Sequence, residues 1–381
     1  VSIPLPQLPG HDLLTNSRQS CFKRCPREQF HRYEQGVRPA SDTPPLRIGS
    51  AIHDAIDMRA KGADREAIEQ AIDARYAMQP TRTAEDAVEL DIERVIVHAL
   101  FDGYCKAWKD DFNTYRYDPG TTDMAYLHPL TPIECIASEL SFELPLRNPE
   151  TNRKHPKFKR AGKIDRIVKL ADGRTAIKET KTTGDSIDSS SDYWSVLAID
   201  PQISGYLIAA QELDYPAETI LYDVLHKPGM RPLNIPILDE NGIKIVIGPN
   251  GDRVYNKDGK TFRQSPDAAL GYVLQTRPET PEEFDVRLRA DIASRPEFYY
   301  ARREIPRLSN DLDEYRAELW QVAAALAEAQ KKGRWYRNTG SCRSMRRCEY
   351  LPICHHGLDP NSPPPGFVTI GDLHPELGAV L

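Results

Sequence analysis

No apolar run in the 381 residues reaches the roughly 20 residues that a membrane-spanning helix needs, so no membrane association is expected. The opening stretch, Val1-Ser2-Ile3-Pro4-Leu5-Pro6, lacks a basic segment followed by an apolar core. On this stretch no secretory leader is expected and a cytoplasmic setting is the expectation, with a native N-terminus ahead of Val1 left open. Basic charge is not in excess: 50 Lys and Arg against 56 Asp and Glu give −6. A generic cationic coat for nucleic acid is thereby disfavoured, but a local basic channel is not, because acidic metal ligands lower the total. Cysteine is scarce and odd in number: seven residues, three of them crowded near the C-terminus. In a long chain without a leader this favours metal ligation over a disulfide framework. A phosphate-binding loop is also missing. Gly259-Lys260-Thr261 imitates its end, but Val254 stands where its first glycine is required. Internal repeats and a helicase motor are absent too.

What is present begins with helix. Residues 11–36 read as one, carrying Cys21, Cys25 and the basic-aromatic run Phe30, Arg32, Tyr33, until Pro39, Pro44 and Pro45 break the chain. Residues 49–79 place Ile52, Ile56, Ile68, Ile72 and Tyr76 at mostly helical spacings, and 84–112 do the same through Ile92, Leu100 and Tyr104. Residues 1–130 are thus expected to form a helical N-terminal region. The texture then changes. Ile133–Leu144, Lys163–Leu170 and Thr175–Lys181 read as strands, the last two joined by a hairpin at Asp172-Gly173. Gln202–Glu212 reads as a helix and Thr219–His226 as another strand. Strand pair, helix and strand make 131–232 a mixed α/β core. Residues 233–264, with Asn241-Gly242, Asn250-Gly251 and Asp258-Gly259, read as a hairpin-rich insertion. Residues 265–358 form a C-terminal helical region whose clearest helix is 309–332, capped by Ser309. Residues 359–381, with Pro360 and Pro363 to Pro365, read as an extended tail.

Phosphodiester hydrolysis needs a divalent cation on hard oxygens, an activated water and positive charge near the phosphate. The central hairpin offers these parts. Asp165 opens the first strand, and Glu179 and Lys181 sit two apart on the second, on one face. Pairing across the turn can bring Asp165 to Glu179, so that both hold Mg²⁺ or Mn²⁺. Lys181 would orient water or stabilise developing charge, and the Thr180 backbone carbonyl could add a ligand.

These residues resemble the D…(D/E)xK signature of the PD-(D/E)XK nucleases. A carboxylate and a lysine two apart are commonly only a solvated face, but three neighbours share the company. Gly49-Ser50-Ala51-Ile52-His53 matches the GxxxH element of the RecB-like exonuclease branch, Gly162-Lys163-Ile164-Asp165 its GxxD, and Gln202-Ile203-Ser204-Gly205-Tyr206 its QxxxY. The order is that of the family, with Glu rather than the commoner Asp before xK. The resemblance implies a restriction-endonuclease-like sheet core flanked by helices. It also implies that His53 is a further metal ligand, that Gln202 and Tyr206 support the site, and that DNA is cut from ends or in single strands. A helicase or recombination partner, in repair or phage DNA processing, fits the same resemblance; the oligomeric state is open.

Cys342, Cys348 and Cys354 are separated by five residues in each gap. AddB-type and CRISPR-associated relatives are similar here: one cysteine before the core, in a Cys-Pro-Arg context, and three after it hold a [4Fe–4S] cluster. The resemblance implies the set Cys25, Cys342, Cys348 and Cys354, a metal-cluster clasp on the two ends of the chain, with Cys21 competing for the first place. Zinc, with Cys25 or His355 as fourth ligand, is the alternative. Cys105 and Cys135, among apolar neighbours, read as packing residues. Lys154, Lys157, Lys159 and Arg160 could grip phosphates or form a solvated loop. Arg343, Arg346 and Arg347, with Lys331, Lys332 and Arg334, make a second basic surface, and Trp335 and Tyr336 could stack on bases or pack in the core. Two competing functions remain: a DNA-binding subunit with an unused site, and a zinc-stabilised interaction protein.

Overall fold

The computed structural model describes residues 9–81, 83–112, 127–344, 347–357 and 362–378. The segment read as one helix from 11 to 36 is broken. β1 (Leu13–Leu14) leads into α1 (Asn16–Arg24), where the Thr15 Oγ1 accepts the N–H of Arg18 at 3.2 Å. Proline has no N–H to donate and forces its predecessor out of the helical region, so α1 stops at Cys25. α2 (Pro26–Gln29) then starts on that proline and runs into a π-helical turn over Phe30–Glu34. Cys25 is left on a corner with extended backbone.

After β2 (Val37–Pro39), α3 (Pro44–Ala60), α4 (Arg65–Ala77) and α5 (Ala84–Ala107) pack through the expected stripe, Ile52, Ile56, Ile68, Ile72, Tyr76 and Leu100 all being buried. The single helix expected over 49–79 is two helices; Gly62, at φ 83°, lies in the turn between them.

The core sheet comprises β3 (Pro132–Arg147), β4 (Lys154–Leu170), β5 (Thr175–Thr183) and β6 (Thr219–His226), with α6 (Asp192–Leu197) and α7 (Pro201–Glu212) crossing between β5 and β6. β5 and β6 are parallel, so the chain cannot return by a tight turn and needs that helical crossover. β7 (Asn234–Pro236), β8 (Val246–Ile247), β9 (Val273–Leu274) and β10 (Thr276–Pro278) form two separate small sheets, β10 with β7 and β8 with β9, whose second strands lie past the expected excursion of 233–264. α8 (Pro281–Ser294) and α9 (Pro296–Tyr299) lead into β11 (Tyr300–Ile305), which joins the main sheet. Its order is β1-β4-β5-β6-β11, with β3 also paired along β4. Helices cover both faces: Ile177, Ile220 and Val224 bury against Leu207 of α7 and Leu319 of α10 (Ser309–Lys332), while Leu225 buries against Ile52, Leu100 and Phe284. This is the expected α/β fold class, a mixed sheet flanked by helices.

Three local expectations change. The basic run 153–160 is mostly strand, because β4 begins at Lys154 and pairs with β3. Ser309 is the first helical residue, and Asp311 caps α10 by accepting the N–H of Leu308 at 2.8 Å. The tail is docked: after α11 (Leu351–His356), β12 (Phe367–Thr369) pairs with β2, and Leu373 is fully buried. Pro360 and Arg346 lie outside the described residues. Among the described residues no helix is long and apolar enough to cross a membrane.

On one sheet face, Lys178 of β5, Asp223 of β6 and Arg302 of β11 meet Asp111 and Tyr104. Lys178 Nζ lies 3.0 Å from Asp111 and 2.8 Å from Asp223, and Arg302 Nε donates to Asp223 at 2.6 Å. The Tyr104 hydroxyl donates to Asp223 at 2.8 Å and accepts from Lys178 at 2.8 Å. Two cations facing two carboxylates, with few polar atoms left over, let this cluster persist in the interior.

Candidate metal centre and cleft

β4 and β5 pair only as far as Arg166 opposite Lys178; beyond that point they part. Asp165 and Glu179 are the first residues past the last pair, so the hairpin that joins them also opens the space between them. The Asp165 Oδ2 accepts the Thr180 N–H at 3.2 Å. In an extended strand a residue's N–H and C=O point to the same edge, so the Thr180 carbonyl faces the Asp165 side. Arg166, fully buried, donates to Thr180 Oγ1 at 2.9 Å and fixes that residue from behind.

His53 of α3 reaches the same point, its Nε2 3.0 Å from Asp165 Oδ1. Two glycines allow the approach. A Cβ on Gly49 would stand 3.1 Å from Thr182 Oγ1 of β5, and one on Gly162 would stand 2.7 Å from the Phe142 ring and 3.3 Å from that of Tyr206. The Gln202 side-chain amide donates to the Tyr206 hydroxyl at 2.8 Å, as their one-turn spacing suggests.

Sequence reasoning missed Glu139. It lies on β3 opposite Asp165, between the pairs Ser138–Arg166 and Leu140–Ile164, with a left-handed φ of 52°. For a residue with a Cβ that conformation costs about 1–2 kcal/mol and marks a constrained position. Its Oε1 lies 3.8 Å from His53 Nδ1, and its Oε2 pairs with Lys163. The donor atoms of His53, Glu139 and Asp165 all lie within 4.8 Å of one another. The alternation of β3 puts Glu139 on the polar face, but only the register with β4 sets it opposite Asp165.

The electrostatics ask for a cation. Burial would raise Asp165, yet the hydrogen bond and charge of His53, with Lys181 and Arg166, hold it well below the usual carboxylate range. Burial, then repulsion from Asp165, pushes Glu179 up to about 7 despite Lys181. Burial would lower the Lys181 ammonium, but Glu179, at 2.5 Å, and Asp165 outweigh it and keep the group charged. Glu139 Oε1 and Glu179 Oε2 are buried without a hydrogen-bond donor, and Glu179 Oε1 faces the Lys181 ammonium. Hard carboxylate oxygens with an imidazole beside them suit Mg²⁺ or Mn²⁺, the histidine favouring the latter. Exchanging Glu139 for Gln should therefore weaken Mn²⁺ binding by tenfold or more, on the order of what supporting groups alone contribute, with little change in melting temperature. Isothermal titration of the two proteins would measure it, and equal affinity would remove Glu139 from the ligand set.

The site opens into a cleft of about 1020 Å³ lined by His53, Lys181, Gln202 and Tyr206 and extending to Arg24, Arg32 and Arg38 of the N-terminal region. Of the four basic residues expected to grip phosphate, only Arg160 lines this cleft, and it is paired with Glu212 at 2.6 Å. Lys159 lies between Asp12 and Glu143, and Lys154 and Lys157 are exposed elsewhere on β4. Trp335 is buried against Phe22 and Phe30, a core aromatic, whereas Tyr336 is exposed.

The cysteines converge at another corner. Asn338 Nδ2 and Ser341 Oγ donate to the Arg24 carbonyl at 2.8 and 3.0 Å, laying the segment before Cys342 beside Cys25. The Cys348 N–H donates to the Cys342 carbonyl at 3.0 Å, and burial, then nearby Glu28, Cys342 and Cys25, raise its thiol. Cys354 Sγ accepts from Arg337 Nε at 3.3 Å. No three of these sulfurs fall within 4.8 Å of one another. Cys21 is buried with Tyr33 and Leu373, and burial pushes its thiol up to about 12, which opposes the deprotonation a ligand needs. Cys105 and Cys135 are half-buried.

The family model described as the PD-(D/E)XK nuclease superfamily matches residues 14–355. No curated protein matches the chain.

Proposed function

The chain belongs to the PD-(D/E)XK nuclease superfamily and is a metal-dependent nuclease; from that premise we propose that it is a DNA exonuclease acting on ends or single strands. The observation that carries the site assignment is the pair of buried carboxylate oxygens left without a donor, Glu139 Oε1 and Glu179 Oε2, beside the His53–Asp165 pair. Asp165, Glu179, Glu139 and His53 would hold Mg²⁺ or Mn²⁺, with the Thr180 carbonyl available beside them. Bound there, the ion would supply Lewis-acid polarisation of the phosphate and acidify water. The protein's own part is preorganisation. His53 holds Asp165 ionised, Arg166 holds Thr180, and Lys181 presents a partly exposed ammonium to the negative charge that grows on the phosphate in the transition state. Gln202 fixes the hydroxyl of Tyr206 over Gly162 at the cleft wall.

At the other corner, Cys25, Cys342, Cys348 and Cys354 would hold a [4Fe–4S] cluster that clasps the two ends of the chain. Four thiolates, one before the core and three after it, are the normal complement of such a cluster. A recombination, repair or phage DNA-processing role, with a helicase or recombination partner, completes this reading.

Incubating anaerobically purified protein with end-labelled single- and double-stranded DNA, and with RNA, in Mn²⁺ or Mg²⁺ tests the reading. A metal-dependent ladder from one end is expected; cleavage of RNA alone, or of closed circles as fast as of linear strands, would refute it. Brown protein absorbing near 400 nm is expected of the cluster, and a colourless zinc-loaded sample would replace it.

A further inference from the structure

The cleft that holds the metal centre is lined by cations, and most are neutralised. Lys181 faces Glu179, Lys163 faces Glu139, Arg160 faces Glu212, and Arg24 pairs with Glu28. Arg32 and Arg38 line the same cleft, and among the described residues no carboxylate lies within ion-pair distance of either guanidinium. Both lie against the ring of Tyr33, at 5.9 and 5.3 Å from its centre, and that tyrosine is wholly buried. The ring is thus a fixed wall that holds the two guanidiniums, not a free stacking surface. Arg18, the third arginine on the ring, is by contrast committed to Glu34 at 3.1 Å.

Arg38 uses one amino group on the Leu373 carbonyl, and its Nε is buried without a partner. Glu376, whose carboxyl the Arg38 charge helps to hold low, accepts instead from the Thr15 hydroxyl and lies 3.2 Å from His374 Nδ1. Two half-buried arginines that form no direct ion pair among the described residues cost desolvation energy that an anion would return. A tetrahedral phosphate, with several acceptor oxygens, suits planar guanidinium donors.

We propose that Arg32 and Arg38 form a phosphate-binding subsite for the strand being cut, gripping a phosphate other than the scissile one. The inference rests on the nuclease reading, because it assigns the cleft's occupant. The phosphate is either an internal diester or the terminal monophosphate of a strand end. Both present the same anion to the same donors.

The test compares wild type with Arg32→Gln, Arg38→Gln and the double variant, their folding checked by thermal melts. Anisotropy of a labelled single-stranded 20-mer in Ca²⁺ gives affinity across a salt series, and bis(p-nitrophenyl) phosphate with Mn²⁺ reports chemistry without a strand. Each substitution is expected to weaken oligonucleotide binding about tenfold, as loss of a charge-assisted contact does. The log–log salt slope should become shallower by about 0.7 for each phosphate released. Turnover of the small diester should stay within twofold, and Arg32→Lys should recover part of the affinity. Comparing 5′-phosphate, 3′-phosphate and unphosphorylated strands separates the two sources: a loss confined to one phosphorylated end names the terminal monophosphate, and an equal loss names an internal diester. Unchanged affinity and slope, or small-diester turnover falling in step with binding, would overturn the subsite. Wild type that binds the strand with a steep slope yet hydrolyses neither substrate would overturn the nuclease reading and leave the subsite standing.

Discussion

Replacing Asp165 by Asn is expected to abolish measurable metal-dependent cleavage, and Lys181→Ala to reduce kcat by on the order of 10²–10³-fold. The two losses should differ in kind. Asp165 is held ionised by His53 and binds the Thr180 N–H, so its amide would lose the anionic ligand and repel that N–H if it turned its own NH₂ toward it. Mn²⁺ affinity should fall together with activity. Lys181 holds no metal. Its removal takes away the ammonium beside Glu179 and should leave metal affinity equal or greater, because the carboxylate loses a competing cation. Titration calorimetry beside single-turnover cleavage would separate these outcomes. Lys181→Ala with wild-type turnover would remove it from the reaction.

The second large effect is on stability. Asp223→Ala should cost roughly 3–5 kcal/mol, because Lys178 and Arg302 would be left buried against Asp111 alone. Adding Lys178→Met should recover part of that loss by removing the orphaned cation, so the two substitutions should be far from additive. Chemical denaturation of the four proteins of the cycle measures it, and additive losses would show that the cluster does not act as a unit. The same group sets an acid limit. Burial opposes its ionisation, but Arg302 and Lys178 hold Asp223 well below the usual carboxylate range. A depressed acid contributes stability that is fully present above its unfolded value, about 3.9, and is lost as pH falls toward the folded value. Wild type should therefore lose stability below about pH 4, and Asp223→Ala should lose less over that interval.

Much of the site was legible before any fold was known. A strand has a period of two, so Glu179 and Lys181 had to share a face. The Asp172-Gly173 turn, with Gly173 at φ 90° and its N–H on the Leu170 carbonyl, fixed which strands pair. A helix returns to one face every fourth residue, which put Gln202 beside Tyr206. These are local rules, and local sequence obeys them. The helical stripe of the first third was legible for the same reason, although Pro26 broke one expected helix and the turn at Gly62 divided another.

What the sequence by itself determined is therefore the set of chemical groups and their local facing: Asp165, Glu179 and Lys181 on a hairpin, His53 on a helix after Gly49, cysteines at both ends. Tertiary structure alone decided which groups join them. Glu139 is 26 residues from Asp165 and enters the centre only through the register of β3 on β4, a pairing that carries no local signal. Nothing in the local sequence marked Lys178; Tyr104 of α5 and Asp111 beyond it pack over that face and make it part of a buried ion cluster. Arg32 and Arg38 became cleft residues because residues 14–46 supply part of the cleft's wall. Backbone periodicity acts over a few residues, whereas burial and charge pairing depend on what packs opposite, and that partner is far away in the chain.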